Sequence, residues 1–350
     1  MKKIKIIDTT LRDGSYAINF NFTLEQNTQI TQGLDECGIE YIEVGHGVGL
    51  NASNMGFGQA LHSDKDYISS AAKAVKKAKI GVFCIPNIAK IDDINLAADC
   101  GIKFIRIGTN VTETQNSEKY IKRAKSLGLE VFANYMKSYC LEPSMFAEKV
   151  ISSESFGADG VYIVDSAGGM MKKDIELYYK AIRKASNIPV GFHAHDNLGL
   201  AIANNLECVD MGLDFVDTSL QGLGRSAGNA STEIMIMTLL KKGIKLNIDY
   251  LKLQEVGHKL VTPLLRAVGK EPLDTISGFA DFHSSYMGHI KKYSSLYKIN
   301  PLKLIIEYAK YDRINLNEAV MDDIAKNIKD NQVSNLNEYD FTRYFGNEQI

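Results

Sequence analysis

The chain has 350 residues, 45% hydrophobic and 23% charged, so it can bury a large core without disulfides or a structural metal. Forty basic against 42 acidic residues leave a net charge of −2, with lysine pairs scattered along the chain, which excludes the footprint of a nucleic-acid-binding protein. The start MKKIKIIDTT loses its apolar character at Asp8, no later run approaches a membrane span, and the five widely spaced cysteines form no CxxC; a cytoplasmic protein with no membrane contact, disulfide framework or thiolate zinc site is expected.

In chain order, KIKIID (3–8) reads as a first strand, and TTLRDG (9–14) as the loop behind it. A repeated phrase follows: ECGIEYIEV (36–44), DCGIKFIRI (99–107), SLGLEVFAN (126–134), SFGADGVYIV (155–164) and MGLDFVDTS (211–219) each set a glycine just before a strand-like run. Glycine past a helix end supplies a left-handed residue, and the β-branched or aromatic run after it suits a buried parallel strand. Two disguised joints, KAKIGVFCIP near 80 and ASNIPVGFHA near 190, bring the number of strands to eight. Between them LEQNTQITQGLDE (24–36), DIELYYKAIRKA (174–185) and GLAIANNLECVD (199–210) carry apolar residues at helical spacing.

Eight strand–helix units predict a (β/α)8 TIM barrel over residues 1–245, with a doubly wound open sheet as the alternative; the absence of GxGxxG after the first strand counts against the nucleotide-binding form of that sheet. From Asn247 the phrase disappears. Residues 246–350 are expected as a helical C-terminal region that caps the barrel, mediates assembly or docks a partner, with helices over 250–268 and 301–311. The last 30 or so residues, rich in Asn and Asp, are expected to be mobile.

VGFHAHDNLG (190–199) ends the seventh strand with His193 and His195, which share a face because strand side chains alternate. They would project at the carboxyl end of the barrel, where active sites lie. Two imidazoles there can bind a divalent cation, with Asp13 of the first loop as third ligand beside Arg12. On spacing alone, two partly buried, hydrogen-bonded histidines are the commoner case. Glu43 and Arg106, in apolar strands, read either as a structural ion pair or as site residues.

TLRDG after the first strand, HxHD at the seventh and GLGRSAGN (222–229) after the eighth together resemble the DRE-TIM metallolyase superfamily over residues 6 to 240. Within it, IEVGHGVGL (42–50), MGFGQALHSDKDYI (55–68) and DSAGGM (165–170) are most similar to the 4-hydroxy-2-oxovalerate aldolase branch, while HAHDNLGLAIAN (193–204) is closer to the acyl-CoA-dependent synthases. The resemblance implies a lyase that cleaves or forms a 4-hydroxy-2-oxo acid through a pyruvate enolate, using a small 2-oxo acid and an aldehyde. Asp13, His193, His195 and Asn229 would hold the metal, Mn2+ foremost, with Mg2+, Co2+ or Zn2+ as alternatives. Arg12 would face the charge developing on the keto oxygen, and Glu43 and Ser166 would line the pocket. Where the family reads DGSHA this chain reads DGSYA, and where the family has a later tyrosine this chain has His283 in FHSSY (282–286). The expectation is a pair with exchanged roles, His283 as base and Tyr16 as donor or relay. A homo-oligomer, and an acylating aldehyde dehydrogenase seated on the helical end, are further implications. The alternatives are an acyl-CoA-dependent condensing enzyme and a non-catalytic ligand-binding barrel.

Overall fold

The structure is a computed structural model and describes residues 4–265, 271–328, 336 and 339–344. Eight parallel strands close in sequence order: β1 (Lys5–Leu11), β2 (Tyr41–Val44), β3 (Lys79–Cys84), β4 (Phe104–Asn110), β5 (Glu130–Met136), β6 (Gly160–Asp165), β7 (Val190–Ala194) and β8 (Phe215–Thr218), with β8 pairing back onto β1. The closed ring decides for the barrel over the open sheet. Eight helices clothe it: α1 (Leu24–Cys37), α2 (Asp64–Ala74), α3 (Ile91–Asp99), α4 (Glu118–Ser126), α5 (Pro143–Phe156), α6 (Lys172–Ala185), α7 (Ala201–Met211) and α8 (Thr232–Lys241). The glycines of the repeated phrase sit at positive φ, 93° at Gly38, 105° at Gly157 and 86° at Gly212, each turning the chain from a helix end into the next strand.

The barrel interior starts from an aromatic floor of Tyr41, Phe104, Phe132, Tyr162 and Phe215. Glycines on neighbouring strands make room for these rings: a Cβ on Gly81 would lie 2.3 Å from the Phe104 ring, and one on Gly191 2.3 Å from that of Tyr162. Large rings facing absent side chains fill the lower interior, so the polar groups above stand on a dry base.

After the barrel come α9 (Tyr250–Val256), α10 (Pro272–Ala280), α11 (Met287–Tyr297), α12 (Pro301–Ala309) and α13 (Glu318–Asn327). The continuous helix expected over 250–268 is interrupted: α9 passes into a wide turn at Gly257–Val261 and a tight one at Thr262–Leu264, and 266–268 lie outside the described residues. Gly257 packs so closely on Glu233 that a Cβ would fall 1.8 Å from its Oε1, and Pro263 cannot continue a helical ladder. Leu253, Val256 and Val261 belong to the barrel's core, whereas a separate core beginning at Leu273 joins α10 to α13. Half of the last 30 residues, the stretch expected to be mobile, lie outside the described residues. Among the described residues no helix is long and apolar enough to cross a membrane.

Candidate active site

Two residues above the aromatic floor the same strands carry polar groups: Tyr41 leads to Glu43, Phe104 to Arg106, Phe132 to Asn134 and Phe215 to Asp217; on β7, Gly191 leads to His193, and His195 follows just past the strand. Glu43 receives Arg106 Nε at 2.7 Å and Arg12 Nε at 2.6 Å, and Arg106 also reaches it through Nη2 and Asp217 through Nη1. Burial alone would raise the Glu43 carboxyl, but Arg106 and Arg12 outweigh it and hold it at about 2. This fully buried charge layer braces the side chains that reach the rim.

Asp217 Oδ2 also takes the Nδ1 proton of His193 at 2.7 Å. A carboxylate only accepts here, so the His193 Nε2 lone pair is left for a ligand, the usual second-sphere arrangement of a metal-binding histidine. Asp13, His193 and His195 each offer a ligand atom within 4.8 Å of the others. Arg12 Nη1 donates to Asp13 Oδ1 at 2.7 Å, and Asn229 Nδ2 and the Arg225 backbone N–H donate to Oδ2 at 2.8 and 3.2 Å. Burial opposes ionisation of Asp13, but Arg12, the two histidines and Asn229 prevail and hold its carboxyl well below the ordinary range. Burial pushes the His195 imidazole down to about 4, which keeps it neutral. His195 Nδ1 and Asn229 Oδ1 are buried with no hydrogen-bond partner among the described residues. A carboxylate and two imidazoles whose ligand atoms converge form a donor set that fits a divalent cation, with the Asn229 amide held against Asp13 beside them.

Arg12, Asp13, Tyr16, Ser166, His193, His195 and His283 all line one cavity of about 50 Å3. Tyr16 and His283, far apart in the chain, thus face a common space. Glu43 and Asn229 stand behind the wall, against Arg12 and Asp13. Burial raises the Tyr16 hydroxyl pKa, and burial with Arg225 drives His283 well below its ordinary value. Ser166 Oγ accepts the Lys137 backbone N–H at 2.9 Å.

Residues 3–260 match the HMGL-like family. The 4-hydroxy-2-oxovalerate aldolase of Carboxydothermus hydrogenoformans is 38% identical over 327 residues, 93% of this chain and 97% of that one. That of Moorella thermoacetica is 38% identical, covering 93% and 96% of the two chains. This chain belongs to the HMGL-like family. Among solved structures, the HMG-CoA lyase of Brucella melitensis superposes with a TM-score of 0.65 at 17% identity, over 76% of this chain and all of that one (100%). The carboxyl transferase domain of Rhizobium etli pyruvate carboxylase gives 0.76 at 15%, over 93% and 60%. At those identities the likeness speaks for the fold alone.

The HMGL-like site also contains groups that motif reading passed over. Asp217 and Asn134 follow Phe215 and Phe132 by two, so the step that singled out the histidines would have found them on β8 and β5. Arg225 lies within GLGRSAGN; its guanidinium stacks 4.8 Å over the Tyr16 ring and its Nε donates to Ser284 Oγ at 2.7 Å, joining barrel loop to helical region. Lys137 is buried, donates from Nζ to Tyr286 Oη at 2.7 Å and to the Ile314 carbonyl, and is pushed by burial to about 7. No local pattern marks it.

Proposed function

We propose that this HMGL-like chain is a divalent-metal-dependent carbon–carbon lyase that makes or breaks the C3–C4 bond of a 4-hydroxy-2-oxo acid, with pyruvate as the donor fragment. The convergence of Asp13, His193 and His195 beside Arg12 carries the reading, in a chain 38% identical to 4-hydroxy-2-oxovalerate aldolases over 93% of its length. Asp13, His193 and His195, with Asn229 Oδ1, would hold the ion, and Mn2+ suits their mixed nitrogen and oxygen set. When bound, the ion acts as a Lewis acid toward a chelating 2-oxo acid.

The chain's own residues do the rest. Arg12, pinned by Glu43 and Asp13, presents a fixed cation to the keto oxygen as charge accumulates there; a guanidinium does so without titrating. The Ser166 hydroxyl stands at the wall for the donor's polar groups. His283 takes the proton of the substrate hydroxyl and Tyr16 donates. As base, His283 must carry its own proton on Nδ1, donated to Ser285 Oγ at 2.7 Å; the Ser285 backbone N–H, 3.2 Å from the same nitrogen, favours the opposite tautomer. Only the hydroxyl can accept that proton, so the base role requires His283 to bond Ser285 Oγ at the expense of the backbone N–H. Ser285→Ala should lower kcat several-fold with little change in pyruvate binding.

Metal-stripped protein should not exchange the C3 protons of pyruvate, and Mn2+ should restore exchange, followed by NMR in deuterated buffer. Full metal loading without exchange would favour a non-catalytic barrel, and thiol release from an acyl-CoA with a 2-oxo acid would favour the condensing alternative. Asp217→Asn should weaken Mn2+ binding by about 10–100-fold in calorimetry, because His193 loses the partner that orients it. With saturating metal, the acid limb of kcat/KM should lie below pH ~6.5, since a base with a depressed pKa stays deprotonated further into acid, and the alkaline limb from Tyr16 should lie above pH ~10. In His283→Gln kcat should fall by about 10²–10⁴ and that acid limb should vanish.

We assign the helical region after residue 245 to assembly, either with a second copy or with an aldehyde-consuming dehydrogenase, in a cytoplasmic setting. Arg225 and Lys137 tie its Ser284, Tyr286 and Ile314 to the barrel rim.

A further inference from the structure

The metal-site cavity adjoins another. Ile85, just past β3, and Met136, at the end of β5, line it and also line a second cavity of about 290 Å3 on the same rim. One part of the second lining is apolar, with Met55, Phe57 and Ile88. The rest carries Asn87, Thr109, Asn110, Glu113, Asn116 and Asn315. Carboxamides donate and accept at once, which is also what a hydroxyl group does. A space shaped for an alkyl tail would not gather four of them. A space for a carboxylate or phosphate would present a cation, and among the described residues no Lys, Arg or His lines this one, while Glu113 would repel an anion.

A row of residues leads from one cavity to the other, past the wall of Ile85 and Met136 that they share. Strand register pairs Gly108 with Asn134 and Asn110 with Met136, so Asn134 and Met136 on β5, with Gly108 and Asn110 on β4, step along one face from the metal site outward. Asn134 lines the metal-site cavity at 2% exposure, and its Oδ1 accepts no hydrogen bond from the described residues; neither does the buried Oδ1 of Asn110. Buried carbonyl oxygens are normally satisfied, so two orphans along one row call for a ligand that brings donors.

We propose that the acceptor is a polyhydroxylated, aldose-like aldehyde: its carbonyl carbon sits at the metal site, its first hydroxyls meet Asn134 and Asn110, and its tail passes Ile85 and Met136 into the amide-lined cavity. The assignment rests on the aldolase reading. In the condensing direction pyruvate C3 loses a proton, its electron pair forms the bond to the aldehyde carbon, and the aldehyde oxygen gains a proton to become the 4-hydroxyl. Cleavage reverses these steps and no further reactant is needed.

The test uses the Mn2+-loaded full chain with pyruvate and two aldehydes of equal carbon count, erythrose and butanal, corrected for free aldehyde. The kcat/KM ratio should favour erythrose by about tenfold or more, because a site built to bond hydroxyls penalises an analogue that leaves its polar groups unpaired. Asn134→Leu and Asn110→Leu should each cut that ratio by about tenfold. Both aldehydes are read on the same preparation, so partial misfolding leaves the ratio intact. Equal or better use of butanal by the wild type, or an unchanged ratio in both variants, overturns the acceptor assignment. Pyruvate C3 exchange without aldehyde reports separately: exchange with no erythrose preference overturns this assignment alone, and no exchange overturns the aldolase reading with it.

Discussion

Arg12→Ala should lower metal-dependent exchange of the pyruvate C3 protons by about 10²–10³-fold or more while the protein still takes up one Mn2+. The magnitude is that of removing one fixed donor from the place where negative charge develops. The guanidinium earns this weight from how it is held: Nε on Glu43 at 2.6 Å, Nη1 on Asp13 at 2.7 Å, and its plane 4.8 Å over the Phe83 ring. No rotamer search is needed when charge appears. Metal uptake survives because Asp13 keeps Asn229 and the Arg225 backbone N–H as partners. Arg12→Lys should recover only a small part of the lost rate, since a single ammonium cannot span Glu43 and Asp13 and still face the substrate. Exchange in Arg12→Ala at the wild-type rate, measured by NMR with metal content checked on the same sample, would remove Arg12 from the chemistry.

What the sequence made legible and what it hid divide along a physical line. The barrel was readable because each joint uses local chemistry: a left-handed glycine at Gly38, Gly157 or Gly212, then an apolar run. His193 and His195 were readable because a period of two needs no partner to be recognised. Asp217 was not, because its meaning lies in His193 and Arg106, and in MGLDFVDTS it looks like any acid. Lys137 depends on Tyr286 and Ile314, contributed by a region whose path along the rim no local pattern encodes. The placement of Tyr16 and His283 around one cavity came from family likeness rather than from spacing, and closure of the helical region over the barrel supplies the geometry. Glu43 was expected to line the pocket, yet strand alternation puts it one step below Arg12, where both its oxygens are engaged by arginines.

That position makes Glu43 the residue whose neutralisation should cost most in stability. Glu43→Gln leaves the area buried nearly unchanged but removes the charge between two guanidiniums in a fully buried layer. Arg106 keeps Asp217 and Arg12 keeps Asp13, yet two cations then share a dry interior with a neutral amide between them. Breaking a buried pair this way costs about 3–5 kcal/mol, which in a chain of this length should lower the thermal midpoint on the order of 4–7 °C. The pH dependence gives an independent check. The Glu43 carboxyl is held at about 2 in the fold against an ordinary 4.5, so the unfolded chain binds its proton first as pH falls. Its contribution, about 3 kcal/mol, is therefore complete above pH ~4.5 and lost as pH falls through ~2. Denaturant titrations of the wild type should show that loss as a steeper fall in stability between those values than in Glu43→Gln, so the gap between the two proteins closes toward acid. A gap that stays constant with pH would mean that Glu43 acts through shape rather than charge, and the ionic layer beneath the site would then have no part in holding Arg12.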